Sequence, residues 1–175
     1  RPSMKPFLVL LLPFVLVGCG PQPPASQAEA VAAIKKLGGS VRLDQTSGEV
    51  VMLFLSRSYV TDAGLEHLQG MTSLTKLNIG GSRIPDAELV HLKGMTSLTT
   101  LYLDETRITD AGLEHLQGMT SLTTLWLQHT LVTDAGLEHL KGLTSLTKLY
   151  LGQTQITDAG LEQIKAALPN CEILR

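Results

Sequence analysis

Apolar positions recur along this chain on a fixed 24-residue period. The block TDAGLEHLQGMTSLTKLNIGGSRI from Thr61 returns almost letter for letter at Pro85, Thr109 and Thr133, and a fifth copy from Thr157 fades after Ala167. Each copy carries the skeleton L-x-x-L-x-L-x-x-T-x-I, as in Leu98, Leu101, Leu103, Thr106 and Ile108. Alternate leucines of L-x-L point one way and the middle residue the other, which predicts a short strand with one buried face. The following Thr61–Leu68 stretch predicts a short helix that starts at Asp62 or just before and turns Leu65 and Leu68 to the core. Pro85 replaces the threonine while Asp62, Asp86, Asp110, Asp134 and Asp158 persist. The carboxylate is therefore the expected capping acceptor. Glu88 replaces the glycine of the TDAGL segment, so Gly64 need not be left-handed, whereas Gly70, Gly94, Gly118 and Gly142 suit helix C-caps. Equal modules of this length predict a stacked solenoid in which each unit buries its apolar side against its neighbours.

The skeleton resembles the leucine-rich repeat family, with Ser58, Ser82, Thr106, Thr130 and Thr154 where that family has asparagine or cysteine. The likeness is nearest to the "TDAGL" repeats of ribonuclease-inhibitor-like bacterial proteins and covers about residues 50–175. A buried hydroxyl can stand in for the amide by bonding the adjacent loop backbone. The expected fold is an α/β leucine-rich-repeat solenoid, a short right-handed arc with its parallel sheet concave and its short helices convex. Six rungs at about 4.8 Å give a sheet roughly 24 Å wide. The family also implies protein–protein interaction as the usual role.

Residues ahead of the repeats have a different pattern. Glu29–Leu37 places Val31, Ile34 and Leu37 at helical spacing before Gly38-Gly39, and Val41–Asp44 and Glu49–Leu55 predict two strands across the turn 45–48. Residues 28–60 are expected to form an N-terminal cap and first rung, and residues 61–175 the repeats. Pro21, Pro23 and Pro24 mark residues 19–27 as a proline-rich tether. Before it, Met4 and Lys5 precede an eleven-residue apolar run, 7–17, that spans only about 16 Å as a helix, too little for a bilayer core. Residues 1–18 are expected to be a signal peptide. Leu16-Val17-Gly18-Cys19 resembles the lipobox of bacterial lipoproteins, which implies cleavage before Cys19 and lipid on its thiol. Arg1, Pro2 and Ser3 precede Met4, taken as the start.

Charge and cysteine content narrow the function. The formal charge is -2, and loss of residues 1–18 removes Arg1 and Lys5 to leave 12 basic and 16 acidic residues. A mildly acidic chain offers no footprint for phosphate backbones, so nucleic acid is not an expected partner. With Cys19 lipidated, Cys171 has no intrachain partner; it is expected at a leucine position as a small core residue.

The middle residues of the strands form one solvent-facing column: Phe54, Asn78, Tyr102, Trp126, Tyr150 and Glu172. After cleavage the aromatics are Phe54, Tyr59, Tyr102, Trp126 and Tyr150, and four of the five fall in this column. Rigid aromatic area on a sheet suits partner binding, although strands favour aromatics in any case. Met52, Lys76, Thr100, Thr124 and Lys148 flank one side. On the other lie Ser56, Gly80, Asp104, Gln128 and Gly152, with Arg57, Glu105, His129 and Gln153 one step beyond. The candidate partner-binding set is Phe54, Asn78, Tyr102, Asp104, Trp126, Gln128, His129, Tyr150 and Glu172.

His67, His91, His115 and His139 recur with the repeat and should ladder along the convex side as surface residues. Asp104, Glu105 and His129 on adjacent rungs could do acid–base work, but no nucleophile accompanies them. The sequence contains no metal motif, phosphate loop or lipase-type elbow. The expectation is a non-catalytic, cofactor-free recognition protein, held in the bacterial cell envelope by its N-terminal lipid only. Its concave sheet would bind a protein or peptide. The alternatives are a glycan-binding module and a purely structural envelope protein.

Overall fold

In the computed structural model, residues 25–55 and 65–175 are described. Their strands form one seven-stranded sheet in chain order: β1 (Ser40–Leu43), β2 (Val50–Phe54), β3 (Lys76–Asn78), β4 (Thr100–Tyr102), β5 (Thr124–Trp126), β6 (Lys148–Tyr150) and β7 (Glu172–Leu174). β1 pairs antiparallel with β2, and β2 to β7 run parallel. Every parallel pairing has an offset of 24, as in Leu77↔Leu101 and Leu101↔Leu125. Sequence period and sheet register are thus the same quantity. Sliding one strand by one residue would turn its buried leucine to water.

The core is one continuous stack. Leu53, Leu77, Leu101, Leu125 and Leu149 are fully buried, and Leu65, Leu68, Leu89, Leu92, Leu113, Leu116 and Leu140 close it from the helical side. Each fully buried leucine contributes about 2 kcal/mol relative to exposure. Backbone and hydroxyl groups are satisfied in columns. The Thr75, Thr99, Thr123 and Thr147 hydroxyls donate to the carbonyls of Val51, Thr75, Thr99 and Thr123 one rung back, at 2.8–3.1 Å. Thr106 and Thr130 are buried and donate to Leu103 and Leu127 at 2.6 Å, Thr154 donates to Leu151, and Ser82 bonds Ile79. The hydroxyl does serve where the family skeleton has an amide.

The convex elements are shorter and less uniform than the sequence suggested. They are a 3-10 segment (Asp86–Leu92), a five-residue helix (Asp110–Glu114), one turn of helix (Asp134–Leu137) running into a 3-10 turn (Glu138–Leu140), and a terminal helix (Asp158–Ala167). A 24-residue rung has to cross, turn and return, which leaves room for little more than one helical turn. Gly70, Gly94 and Gly118 take φ of 86–88° at the C-terminal turns, where other residues would be strained, but Gly142 is outside the left-handed region.

The expected capping role of the aspartates is overturned. Thr109, Thr133 and Thr157 are the N-caps, their hydroxyls accepting from the N–H groups of Ala111, Ala135 and Gly160 at 3.3 Å. The aspartate that follows points forward to the next rung. Asp86 Oδ1 accepts the N–H of Thr109 at 2.9 Å and Oδ2 its hydroxyl; Asp110 holds Thr133, and Asp134 holds Thr157, in the same way. These rung-to-rung clamps explain the glycines. A Cβ on Gly112, Gly136 or Gly160 would overlap the carboxylate of Asp86, Asp110 or Asp134 respectively.

A cap closes the N-terminal end of the stack. Its helix (Ala25–Lys36) begins inside the stretch expected to be tether, and buried Gln27 explains why: its Oε1 accepts the N–H of Val50 at 3.1 Å. Val31 and Ile34 seal the first rung. The hairpin turn is organised by Asp44, whose Oδ1 accepts from Thr46 N and Ser47 N at 2.9 and 2.8 Å, with Gly48 at φ 71°. The signal segment, Cys19, the prolines of the tether, and Ser56, Arg57, Ser58, Tyr59 and the Thr61–Gly64 start of the first repeat lie outside the described residues.

Candidate functional site

The concave face is assembled by register. Phe54, Asn78, Tyr102, Trp126 and Tyr150 are successive partners across β2 to β6, all half-buried, so Trp126 stands on the sheet and not in the core. Glu172 does not continue the column. β7 keeps the 24-residue period, which sets Glu172 beside Lys148 and Leu174 beside Tyr150. The expectation that Cys171 is the leucine equivalent is two residues out of register in the last rung. Ile173 takes that position, and Cys171 falls in the threonine column, half-buried against the core. Burial, and then the neighbouring Glu172 charge, push the Cys171 thiol up, which disfavours the thiolate.

Rung spacing brings the rings into a stack. Tyr102 and Trp126 have centroids 5.3 Å apart with planes at 24°, and Trp126 and Tyr150 are 3.8 Å apart at 15°. The Lys76 ammonium lies 5.1 Å from the centroid of Tyr102. Trp126 therefore has an aromatic neighbour on each face, while Tyr102 lies between an indole and a cation. The Trp126 Nε1 is covered and has no hydrogen-bond partner. Lys76 was legible as a flanking position; nothing in a single sequence showed that it would close the stack.

Beside the stack, Asp104 leans back over Gly80, where a Cβ would come within 2.8 Å of Oδ1. Gln128 instead reaches forward beside Gly152 of the following rung, with its side-chain atoms 3.6–3.7 Å from where a Cβ would sit. Burial pushes the Asp104 carboxyl up and Glu105 adds to this, against its own backbone N–H and the opposing influence of His129. The Glu105 N–H donates to the Gln128 carbonyl at 2.8 Å, which sets Asp104 and Glu105 on the rung next to His129. Glu105, His129 and Gln153 share an unusual backbone, with φ of 56, 55 and 57°, and Gly81 matches them at 67°. The column forms a rim in which the N–H groups of Gly81, Glu105 and His129 donate to the carbonyls of Asp104, Gln128 and Gly152 at 2.7–2.9 Å.

On the helical side two of the histidines, His91 and His139, form bridges. His91 Nδ1 lies 2.7 Å from Gln69 Nε2 and His139 Nδ1 2.6 Å from Gln117 Nε2, each across one rung. The rung before His115 carries Lys93 instead, and His115 Nδ1 is buried without a partner. Among the described residues no three His, Cys, Asp or Glu side chains come together as a metal-ligand set. Among the described residues no helix is long and apolar enough to cross a membrane.

Comparison with known proteins agrees with this geometry. Residues 96–156 match the profile of the leucine rich repeat family. No curated protein sequence matches the chain. Among solved structures, an internalin (InlF) from Listeria monocytogenes aligns with TM-score 0.52 and 28% identity over 63% of this chain and 30% of its own. The leucine-rich-repeat protein LIC12759 of Leptospira interrogans gives 0.48 and 20% over 62% and 27%; TLR13, solved in complex with ssRNA13, gives 0.49 and 22% over 72% and 16%. The chain spans less than a third of the length of each. Its parallel 24-residue rungs, with the profile match over residues 96–156 and the likeness to the internalin, give the chain the α/β solenoid fold of leucine-rich repeats.

Proposed function

We propose that this chain is a non-catalytic recognition protein whose concave sheet binds a protein or peptide, held at a bacterial envelope membrane by lipid on Cys19. Leucine-rich-repeat arcs commonly serve protein recognition, and the carrying observation is the Tyr102–Trp126–Tyr150 stack on the open side of the sheet. The stack also argues for the class of partner. Nucleobases, and sugars likewise, engage aromatics by lying on open ring faces. Here both faces of Trp126 and both of Tyr102 are occupied. The partner meets ring edges, the Tyr102 and Tyr150 hydroxyls, and the flanking Asp104, Gln128 and His129, a mixed surface that suits polypeptide better than glycan. With the faces of its two central rings already covered, the column gives a glycan less to lie on.

Photo-crosslinking from position 128 in the native envelope tests this reading. A captured polypeptide should disappear with Tyr102→Ala and Tyr150→Ala in chains that still fold, because anchoring aromatics cost about 2 kcal/mol or more on truncation. Unchanged capture in the folded variants would favour a structural role instead. Cys19→Ala should release the protein from membranes, and retention in the membrane fraction would defeat the anchor.

A further inference from the structure

We infer that the solenoid has a built-in joint on its convex side, between the rung that ends at Ile84 and the rung that begins at Pro85. Three successive boundaries are fastened by an aspartate that holds a threonine N–H and hydroxyl: Asp86 to Thr109, Asp110 to Thr133, and Asp134 to Thr157. Pro85 occupies the threonine position one rung earlier and has neither an N–H nor a hydroxyl, so it can accept no such clamp whatever precedes it. The same rung carries Glu88 in place of the glycine that makes room for the clamping carboxylate in the other rungs. Loss of the clamped residue and loss of the space for the clamp occur together, in this one copy.

Local structure is altered to match. Pro85 caps its segment with no side-chain hydrogen bond, and residues Asp86–Leu92 form a 3-10 segment where later rungs begin with α-helix. Glu88 Oε2 is covered and lacks a hydrogen-bond partner, with His91 Nε2 3.5 Å away. The concave side is uninterrupted here, since β2, β3 and β4 pair in full register and Thr99 donates to Thr75. Across the boundary on the convex side runs the exposed Gln69–His91 bond. The joint therefore opens on the helical side, with the sheet acting as its hinge. Phe54 and Asn78 belong to one part of the arc, and the ring stack to the other.

Hydrogen exchange of the full chain, read by NMR, tests the joint. The amides of Leu68, Met71 and Glu88, hydrogen-bonded on either side of the boundary, should exchange at least tenfold faster than those of Leu116 and Gly136. Pro85→Thr with Glu88→Gly, which recreates the T-D-A-G sequence, should slow the former by about tenfold and leave the latter unchanged. Moving the defect by Thr109→Pro with Gly112→Glu should make the amides of Leu116 and Met119 exchange faster, and distinguishes a joint from general fraying of the N-terminal end. Equal protection in the parent chain, or rates at Leu68 and Glu88 that ignore the restoring pair, would overturn the inference.

Discussion

Asp134 grips Thr157 one whole repeat ahead, accepting its N–H at 2.8 Å and its hydroxyl at 2.6 Å. Those two bonds, the hydroxyl first, hold the Asp134 carboxyl below its ordinary value of 3.8. A depressed folded-state value means the clamp stabilises above the unfolded value and is lost as pH falls through the folded one. The helix at Asp158–Ala167 should therefore loosen only below about pH 4. Carboxyl NMR titration checks this, and Thr157→Val should return Asp134 toward its ordinary value.

Gly136 is required by its neighbour's carboxylate and not by its own backbone. Alanine normally favours a helix over glycine by about 1 kcal/mol. Here Gly136→Ala should destabilise by about 1–3 kcal/mol, because its Cβ overlaps Asp110. Combining it with Asp110→Ala should cost clearly less than the two changes summed, as measured in a denaturant double-mutant cycle.

His129 sits at φ 55°, which costs a non-glycine residue roughly 1–2 kcal/mol. His129→Gly should raise stability by up to about 1 kcal/mol, since the relief exceeds glycine's added unfolded-state entropy. Thermal unfolding reads the shift. If the same variant also abolishes the proposed crosslinked capture from position 128, His129 contributes at the face as well as to the rim.

His115 has a covered Nδ1 without a partner, whereas His91 and His139 each meet a glutamine from the rung before. Lys93→Gln should supply the missing bond. A gain of about 0.5–1.5 kcal/mol in chemical unfolding is expected.

Asp104 shows the opposite sign to Asp134. Burial raises its folded value, so the folded state disfavours the charged form and stability falls as pH climbs from about 3.8 through that raised value. Asp104→Asn should flatten this part of the stability–pH curve, measured by thermal unfolding between pH 3 and 7.

Fold and face were readable because one period sets both: Leu101 and Leu125 are buried for the same reason that Tyr102 and Trp126 stand on the opposite face of the sheet. Contacts between copies were harder to see. A single repeat shows Thr109 and Asp110 as neighbours, while their clamp partners are Asp86 and Thr133, a full rung away in either direction. The persistence of aspartate beside Pro85 suggested a cap; the informative signal was the joint change at Pro85 and Glu88. Strict adherence to 24 residues would also have put Leu174, not Glu172, beside Tyr150. Ring stacking depends on side-chain rotamers, which no spacing rule encodes.

Since each clamp joins only adjacent units, the arc can be shortened in whole modules. Excision of residues 109–132 would bring Thr133 to Asp86 and set Tyr150 against Tyr102, with the sheet register intact. The reach of the concave face is thus adjustable by gene-level gain or loss of a unit, without redesign of any interior contact.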